Sequence, residues 1–341
     1  MADAQLCGSV NLQDAETVFL ELAKVGETLH RIPDGETGPR QQWIMAQMSR
    51  FTANPDFVQT QETGFAYASR PSFRLRDGLA PEDASFDLGY AAGATESYPL
   101  FKRLRDEGKF APDARFQVSL PTQVAIVGVY IDPEQQAEIA PVFERTLANE
   151  IAEILKGVPA EDLALQWDVA VEFSRLERPS DLRRGPTDYE EIVAQLVRLG
   201  DLVPEPVELG YHLCYGDAPD EPGGVGHHFM QHKDTSLLVR VANDVVSGVG
   251  RPVNWIHMPV PIERDDDAYF APLDDLNLPA ETRLFLGLVH WQDGVTGTQR
   301  RIDAAARHVH GFGVATECGM GRRPPEVVPT LLETQRAVTV P

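Results

Sequence analysis

Short apolar runs alternate along the chain with segments whose apolar residues recur at helical spacing. Eight runs predict β-strands at 6–10, 28–32, 115–120, 163–167, 207–211, 252–256, 282–289 and 312–316. Helical spacing predicts helices at 15–25, 133–156, 188–200, 235–247, 298–308 and 325–337. Strands that alternate with helices in this way are typical of a parallel sheet. The pattern therefore predicts an α/β fold, a closed (β/α)8 TIM barrel.

The pattern extends over the whole chain, so the prediction is a single barrel domain over residues 1–341. Its length of 341 residues exceeds the roughly 250 that such a barrel typically needs. Residues 51–96 are rich in Pro, Gly, Ser and Asp, and they predict an irregular excursion over the barrel after the second strand. Residues 216–233 predict a loop rich in Gly, Pro and His.

The charge and the cysteine content limit the partners and the compartment. A formal net charge of -22 disfavours nucleic acid and anionic membranes as partners, since both would be repelled. Three cysteines do not suggest a disulfide framework and favour a reducing compartment. The N-terminus has no signal-peptide pattern, and no apolar run is long enough for a membrane span. We therefore expect a cytoplasmic protein.

Polar or ligand-type residues stand at the ends of nearly all predicted strands. They are Ser9, Glu36, Thr122, Asp168, His212, His257, His290 and Cys318. In barrels of this kind the chemistry lies at the mouth formed by the C-terminal ends of the strands. The pattern therefore predicts an active site at that mouth.

Two of these strand-end residues, His212 and Cys318, suggest a metal centre together with Cys214. His212 and Cys214 are two residues apart on an extended segment, so both side chains point the same way. Cys318 follows the last strand, and Gly319 after it permits a tight turn. Two sulfurs with one imidazole are a ligand set that zinc prefers. Zinc held in this way could activate a substrate thiol.

The pattern leaves the fourth ligand open. We favour His257, because the sixth strand lies between the fifth and the eighth in order around the barrel. The rivals are also histidines, and they are His227, His228, His232 and His290. Cys7 lies within the first predicted strand and is interpreted as buried packing.

Five short motifs, in their order along the chain, resemble one enzyme family. They are Gly8-Ser9, Asp34-Gly35-Glu36 followed by Arg40, Leu165-Gln166-Trp167-Asp168, His212-Leu213-Cys214 and Glu317-Cys318-Gly319. The chain resembles the catalytic C-terminal barrel of cobalamin-independent methionine synthase, in the superfamily that also includes uroporphyrinogen decarboxylase. The likeness covers essentially the whole chain, and the two zinc motifs are its most specific parts.

The resemblance implies roles for the matching residues. Ser9 would receive an amino-acid carboxylate, and Glu36 and Asp168 would hold its amino group. Three departures stand out. His257 takes the place of the family's glutamate ligand, and no second acid follows Asp168 directly. The family's Asp-x-His pair for proton delivery is replaced by a segment beginning at His290.

The function implied is a zinc-dependent methyl or alkyl transferase. It would hold a small thiol, such as homocysteine, as a zinc-bound thiolate, with His212, Cys214, His257 and Cys318 as metal ligands. His290 and Asp168 would be the catalytic groups, and the donor would be a folate, a corrinoid protein or a small electrophile. Three alternatives stay open: a metal-free decarboxylase or lyase on the same barrel, a zinc hydrolase with a metal-bound water, and a non-catalytic protein with a structural zinc.

Overall fold

The computed structural model describes residues 3–41, 43–65, 68–177, 188–217 and 232–339. The described strands are β1 (Ala4–Gln5), β2 (Arg31–Pro33), β3 (Phe57–Phe65), β4 (Ala68–Leu75), β5 (Arg115–Pro121), β6 (Leu163–Val169), β7 (Glu208–Leu213), β8 (Trp255–Pro259), β9 (Arg283–Val289) and β10 (Gly313–Thr316). The described helices are α1 (Ala15–Leu22), α2 (Trp43–Ala53), α3 (Tyr90–Asp106), α4 (Gln123–Tyr130), α5 (Gln136–Gly157), α6 (Val171–Glu177), α7 (Tyr189–Asp201), α8 (Ser236–Gly248), α9 (Asp267–Phe270), α10 (Gly294–Ala305) and α11 (Val328–Thr339).

Eight of these strands form one parallel sheet in the order β1-β10-β9-β8-β7-β6-β5-β2. Parallel bridges from Ala4 to Leu29 and from Ser9 to Gly35 join the two edge strands, so the sheet closes into a barrel. The strands are buried almost throughout, because helices cover the outside of a parallel barrel. The predicted (β/α)8 fold is confirmed.

The segment predicted to be an irregular excursion is largely regular. Residues 51–96 contain the end of α2, an antiparallel hairpin of β3 and β4, and the start of α3. Pro71 in the hairpin and Pro99 inside α3 obscure the periodicity, since proline is disfavoured within both kinds of element. The helix α4 was also missed, because almost all of its residues are apolar and buried and it has no polar face.

Side-chain caps fix where several helices begin. The Asp14 carboxylate accepts a hydrogen bond from the backbone N–H of Thr17 at 2.8 Å, and the Thr122 hydroxyl accepts one from Ala125 at 3.2 Å. Caps of this kind contribute about 1 kcal/mol each. Because α4 begins at the end of β5, the Thr122 cap also holds the chain at the barrel mouth. Among the described helices, none is both long and apolar enough to cross a membrane.

The barrel interior places one glycine under a strict constraint. Trp255 on β8 is fully buried, and its ring lies against the backbone of Gly210 on β7. A Cβ atom at Gly210 would lie 1.9 Å from that ring, which no packing adjustment of a few tenths of an ångström could relieve. The Arg31 guanidinium lies 4.3 Å from the centre of the same ring.

Candidate metal centre

The strand register brings the predicted ligands to the C-terminal mouth. His212 on β7 lies directly beside Asp168 on β6 and His257 on β8. Cys214 follows β7, and its backbone N–H donates to the carbonyl of Val169 at 2.8 Å. His212, Cys214 and His257 are all buried, so the cluster is shielded from bulk water.

Cys318 reaches the same place from β10, which is separated from β7 in the sheet by β9 and β8. It lies two residues beyond the end of β10, and its carbonyl accepts a hydrogen bond from the Thr316 hydroxyl at 2.8 Å. The next turn is held by Met320, whose N–H donates to the carbonyl of Ser9 at 2.7 Å. These two bonds fix the turn that aims the Cys318 sulfur at the mouth.

His212, Cys214 and Cys318 form one compact group of ligand atoms. The Sγ atoms of Cys214 and Cys318 are 3.5 Å apart, and the Nε2 atom of His212 lies 3.5 Å from the Cys318 sulfur. All three ligand atoms lie within 4.8 Å of one another. Ligand atoms at tetrahedral zinc positions are separated by roughly 3.5–3.8 Å, given Zn–S and Zn–N bond lengths. The donor set and its spacing therefore fit a zinc ion with three protein ligands.

The environment of Cys214 sets a condition for metal binding. The hydrogen bond with Cys318 and burial raise the pKa of the Cys214 thiol well above its usual value. The backbone N–H of Gly216 donates to the Cys214 sulfur at 3.2 Å and partly offsets this rise. A cation must therefore displace a proton from Cys214 to bind there.

His257 lies behind His212 rather than beside the two sulfurs. Its Nε2 faces the carbonyl of Thr316 at 3.0 Å, so this nitrogen carries a proton and donates it. Burial lowers the pKa of His257 to about 4, so the ring is neutral and its Nδ1 is an acceptor. The Nδ1 of His212 lies 2.7 Å away and donates to it, which leaves the His212 Nε2 lone pair pointing at Cys318. This orientation suits metal ligation by His212, and direct ligation by His257 remains a prediction.

A third sulfur lies close to this centre. Cys7, interpreted from the sequence as packing, has its Sγ within 4.8 Å of ring nitrogens of His212 and His257. Burial raises the pKa of the Cys7 thiol well above its usual value, and Cys318 and Asp168 add to the rise. Cys7 is therefore a neutral thiol next to the histidine pair.

A line of buried side chains inside the barrel supports Asp168. The Nε2 of Gln5 donates to Gln117 at 2.7 Å, and Gln117 donates to Gln166 at 3.4 Å. Gln166 in turn donates to the Asp168 carboxyl at 2.8 Å. Burial raises the pKa of Asp168 well above its usual value, while Gln166 opposes the rise and Cys318 adds to it. Sequence reasoning missed Gln5 and Gln117 and gave Gln166 no role of its own, although each sits on a strand among apolar residues.

Glu36 lies close to Asp168 and is held in an unusual conformation. It is the one described non-glycine residue in the left-handed region, with a φ of 51°. Its backbone N–H donates to the Asp34 carboxylate at 2.8 Å, and Arg40 donates to the same carboxylate at 2.7 Å. Burial raises the pKa of Glu36 well above its usual value, and the charges of Asp168 and Asp34 add to the rise. Glu36 and Asp168 are thus two buried acids at the mouth, and the charge of Asp168 acts on Glu36.

The predicted carboxylate site at Gly8 and Ser9 offers little space. A cavity beside Gly8 has a volume of about 10 Å³, which is room for about one water molecule. Gly8 has a φ of 109°, and a Cβ atom there would lie 2.8 Å from the Ser119 hydroxyl. Ser9 packs on the Cys318 loop, since a Cβ atom at Gly319 would lie 2.4 Å from the Ser9 hydroxyl. In the structure Ser9 therefore supports the Cys318 turn, and its carboxylate-binding role remains a prediction.

The other predicted histidines occupy different places. The Nε2 of His290 donates to the carbonyl of Val260 at 2.8 Å, and its Nδ1 lies 3.9 Å from the Glu317 carboxylate. Burial lowers the pKa of His290, and Glu317 opposes this. The Nε2 of His232 lies 2.6 Å from the Tyr269 hydroxyl, and its ring stacks on Tyr215 with the ring centres 4.0 Å apart. His227 and His228 lie outside the described residues.

One further acid near the mouth was missed in the sequence. Glu172 is on the first turn of α6, four residues after Asp168, and is 1% exposed. Burial raises the pKa of Glu172 to about 7, and it in turn contributes to the raised pKa of Asp168. The only signal was an acidic residue in the first turn of a helix after a strand-end aspartate, a pattern that usually marks a helix start.

Comparisons with known proteins agree on the fold. No family model matches the chain, and no curated protein matches it. A B12-independent methionine synthase from a Shewanella species, solved with selenomethionine, is 12% identical with a TM-score of 0.57, over 99% of this chain and 97% of that one. A putative vitamin-B12 independent methionine synthase from Listeria monocytogenes is 12% identical, with a TM-score of 0.55 and the same coverage. A methyltransferase from Methanosarcina mazei is 10% identical, with a TM-score of 0.52 over 100% and 95% of the two chains. At this identity the likeness establishes a shared barrel fold.

Proposed function

We propose that this protein is a zinc-dependent alkyltransferase, most simply a methyltransferase, which transfers its group to a small thiol. The observation that carries the proposal is the convergence of His212, Cys214 and Cys318, whose ligand atoms lie within 4.8 Å of one another at the barrel mouth. The similarity in fold to solved methionine synthases and a methyltransferase supports it.

A zinc ion bound by these three residues would lower the pKa of a substrate thiol and make it nucleophilic at neutral pH. Three protein ligands leave one coordination position for substrate, as catalytic sites require and structural sites do not. His257 would keep His212 in the tautomer and orientation that present Nε2 to the metal, through the 2.7 Å contact between the two rings.

The acids of the mouth would bind and orient the substrate. Glu36 and Asp168 are buried beside the centre, and a cationic ammonium on the thiol substrate would favour their ionised forms. Hydrogen bonds between charged groups contribute roughly 1.5–3 kcal/mol each, enough to select such a substrate. His290 and Asp168 are the groups that would hold or move a proton during transfer. Burial lowers the pKa of His290 and raises that of Asp168, so the two side chains differ in how readily they donate a proton.

The test measures thiol binding and product together. Zinc-loaded protein is titrated with homocysteine by calorimetry in two buffers of different ionisation enthalpy, which reports proton release. It is then incubated with methylfolate, a methylcorrinoid or a small methylating electrophile, and the thioether is quantified by mass spectrometry. We expect release of about one proton per thiol bound, and thioether formation with at least one donor.

Cys318→Ser is the matched variant, since it removes one sulfur and keeps the size of the side chain. It should lose both proton release and thioether formation. Thiol binding without proton release would contradict thiol activation. A zinc ion that is present but does not respond to thiol would favour the structural-zinc alternative.

A further inference from the structure

Cys7, His212 and His257 form a second compact group of ligand atoms near the barrel mouth. The Cys7 sulfur and a ring nitrogen of each histidine all lie within 4.8 Å of one another. All three residues are buried, with at most 6% of their surface exposed. We call this set the inner group, and we call His212, Cys214 and Cys318 the outer group. His212 belongs to both groups, so two sets of soft donors meet at one imidazole.

His257 is held in the orientation that a metal ligand needs. Its Nε2 donates to the carbonyl of Thr316 at 3.0 Å, so its lone pair is on Nδ1. Histidines that bind metals almost always donate their other ring N–H to a carbonyl, a carboxylate or water, which fixes the ring and its tautomer. The Nδ1 of His212 lies 2.7 Å from the Nδ1 of His257, and one proton joins the two rings. A cation bound by both rings would replace that proton.

The contact between the two rings must widen slightly to admit an ion. Two nitrogens bonded to one ion at about 2.0 Å lie roughly 3.3–3.5 Å apart. The two Nδ1 atoms are 2.7 Å apart, so they must separate by less than about 1 Å. Rotation of a histidine ring about its last side-chain torsion, which has a broad energy minimum, can supply a movement of this size without a change in the backbone.

The number of thiols determines the charge of the ion that each group suits. In the outer group, two thiolates balance a divalent ion such as Zn²⁺ while the imidazole stays neutral. The inner group has one thiol, so it balances a monovalent ion. A divalent ion there would leave one positive charge without a counter-charge in a buried site, which is costly. Asp168, whose charge acts on Cys7, does not readily supply a counter-charge, because burial raises its pKa well above its usual value.

The donors of the inner group determine which kind of monovalent ion it suits. Its ligand atoms are one thiol sulfur and two imidazole nitrogens, and no carboxylate belongs to the group. Hard cations prefer oxygen ligands, whereas thiolates select soft ions such as Cu(I). Two imidazoles and one thiolate in a trigonal arrangement are also a ligand set that copper takes in proteins. The inner group therefore suits Cu(I).

We propose that the inner group is a second metal site, which binds Cu(I) through the Cys7 thiolate and one nitrogen each of His212 and His257. Both imidazoles stay neutral, and the Cys7 thiol releases its proton when the ion binds. A neutral imidazole has one lone pair, so His212 serves one ion at a time, and Cu(I) in the inner group withdraws this ligand from zinc. The proposal does not depend on the transfer of a methyl group to a thiol.

The test uses the full-length chain from which both outer sulfurs have been removed by Cys214→Ser and Cys318→Ser together. Cys7 is then its only cysteine. The zinc-free protein competes for Cu(I) with the chromophoric chelator bathocuproine disulfonate under anaerobic conditions, with ascorbate as the reductant. Copper K-edge X-ray absorption then reports the neighbours of the bound ion. We expect one Cu(I) per chain with one sulfur neighbour and two nitrogen neighbours.

Three further substitutions are made singly in this background. Cys7→Ser and His257→Asn each remove a proposed ligand, and each should weaken Cu(I) binding at least about 100-fold, since loss of a group that only orients a ligand already costs roughly 10- to 100-fold. The control is Met258→Leu, because Met258 is the next residue on β8 and its sulfur points to the opposite face of the strand from His257. Its Cu(I) affinity should equal that of the background, and thermal unfolding shows whether each protein is folded.

Three results would overturn the inner site. They are a folded background protein that takes up no Cu(I), bound copper without a sulfur neighbour, and equal Cu(I) affinities with and without Cys7. The first two use only the background protein, so they decide the question even if a ligand variant does not fold. None of these results bears on the proposed function, because zinc and thiol binding are measured on protein that keeps both outer sulfurs.

Discussion

Replacing Glu172 by glutamine should change the pH dependence of stability. The carboxyl group is buried on α6, and neither of its oxygens makes a hydrogen bond of ordinary geometry with a described residue. Burial raises its pKa from 4.5 to about 7, although the Thr122 hydroxyl and the charge of Arg175 oppose the rise. Glutamine has nearly the same shape and cannot ionise, so the substitution removes the titration and little else.

The magnitude follows from the two pKa values. The folded protein keeps a proton that the unfolded chain releases between pH 4.5 and about 7. The contribution of Glu172 to stability is therefore greatest below pH 4.5 and is lost as pH rises through 7. Each pKa unit corresponds to about 1.4 kcal/mol, so the total loss is about 3 kcal/mol. Between pH 5 and pH 8 alone, the loss is about 2.5 kcal/mol.

The assay is urea unfolding of the wild type and of Glu172→Gln at pH 5 and pH 8. The free energy of unfolding of the variant minus that of the wild type should be about 2.5 kcal/mol larger at pH 8 than at pH 5. Glu333→Gln, on an exposed face of α11, is the control and should stay within about 0.5 kcal/mol of the wild type at both pH values. A stability difference for Glu172→Gln that does not change with pH would refute the reasoning.

Three further predictions concern the centre and the barrel. His257→Asn should weaken zinc binding about 10- to 100-fold in chelator competition while zinc keeps the same number of sulfur ligands; an unchanged affinity would exclude an orienting role. Zinc affinity should rise at least about tenfold per pH unit from pH 6 to 8, because the raised pKa of Cys214 means that its proton is released on binding; a flat profile would contradict this. Gly210→Ala should cost at least about 1–3 kcal/mol in urea unfolding, since its Cβ would lie 1.9 Å from the Trp255 ring; a stability equal to the wild type would show that the ring can move.

The barrel could be predicted because the same sequence pattern, an apolar strand followed by a helix, recurs along the chain. Each buried parallel strand is an apolar run, and each is followed by a helix, so errors at single boundaries did not alter the topology. The sixth strand shows the limit of boundary prediction. It was predicted at 252–256 but is observed at Trp255–Pro259, because Pro252 and Asn254 are disfavoured in strands. The hairpin of β3 and β4 was missed because its residues mix polar and apolar types without clear alternation.

The centre could be predicted only in part. His212, Cys214 and Cys318 stood out because two sulfurs and an imidazole are donors that zinc prefers, and all three stand at or just beyond the ends of predicted strands. The sequence does not show what His257 contacts, because a histidine at a strand end can face a metal directly or can contact another metal ligand from behind. The register of β7 and β8 decides that it meets His212. Cys7 and Glu172 approach the mouth through tertiary packing, and the sequence marks them only as a cysteine in a predicted strand and an acid in the first turn of a helix.

The most direct test is zinc K-edge X-ray absorption on protein purified in the absence of thiol. It shows whether the residues of the candidate metal centre bind one zinc ion together. It should show about one zinc per chain with two sulfur neighbours near 2.3 Å and one imidazole nitrogen near 2.0 Å, and the fourth neighbour should be a light atom. Cys214→Ser and Cys318→Ser should each reduce the sulfur count to one. A zinc shell without sulfur, or a folded wild type that takes up no zinc, would contradict the account.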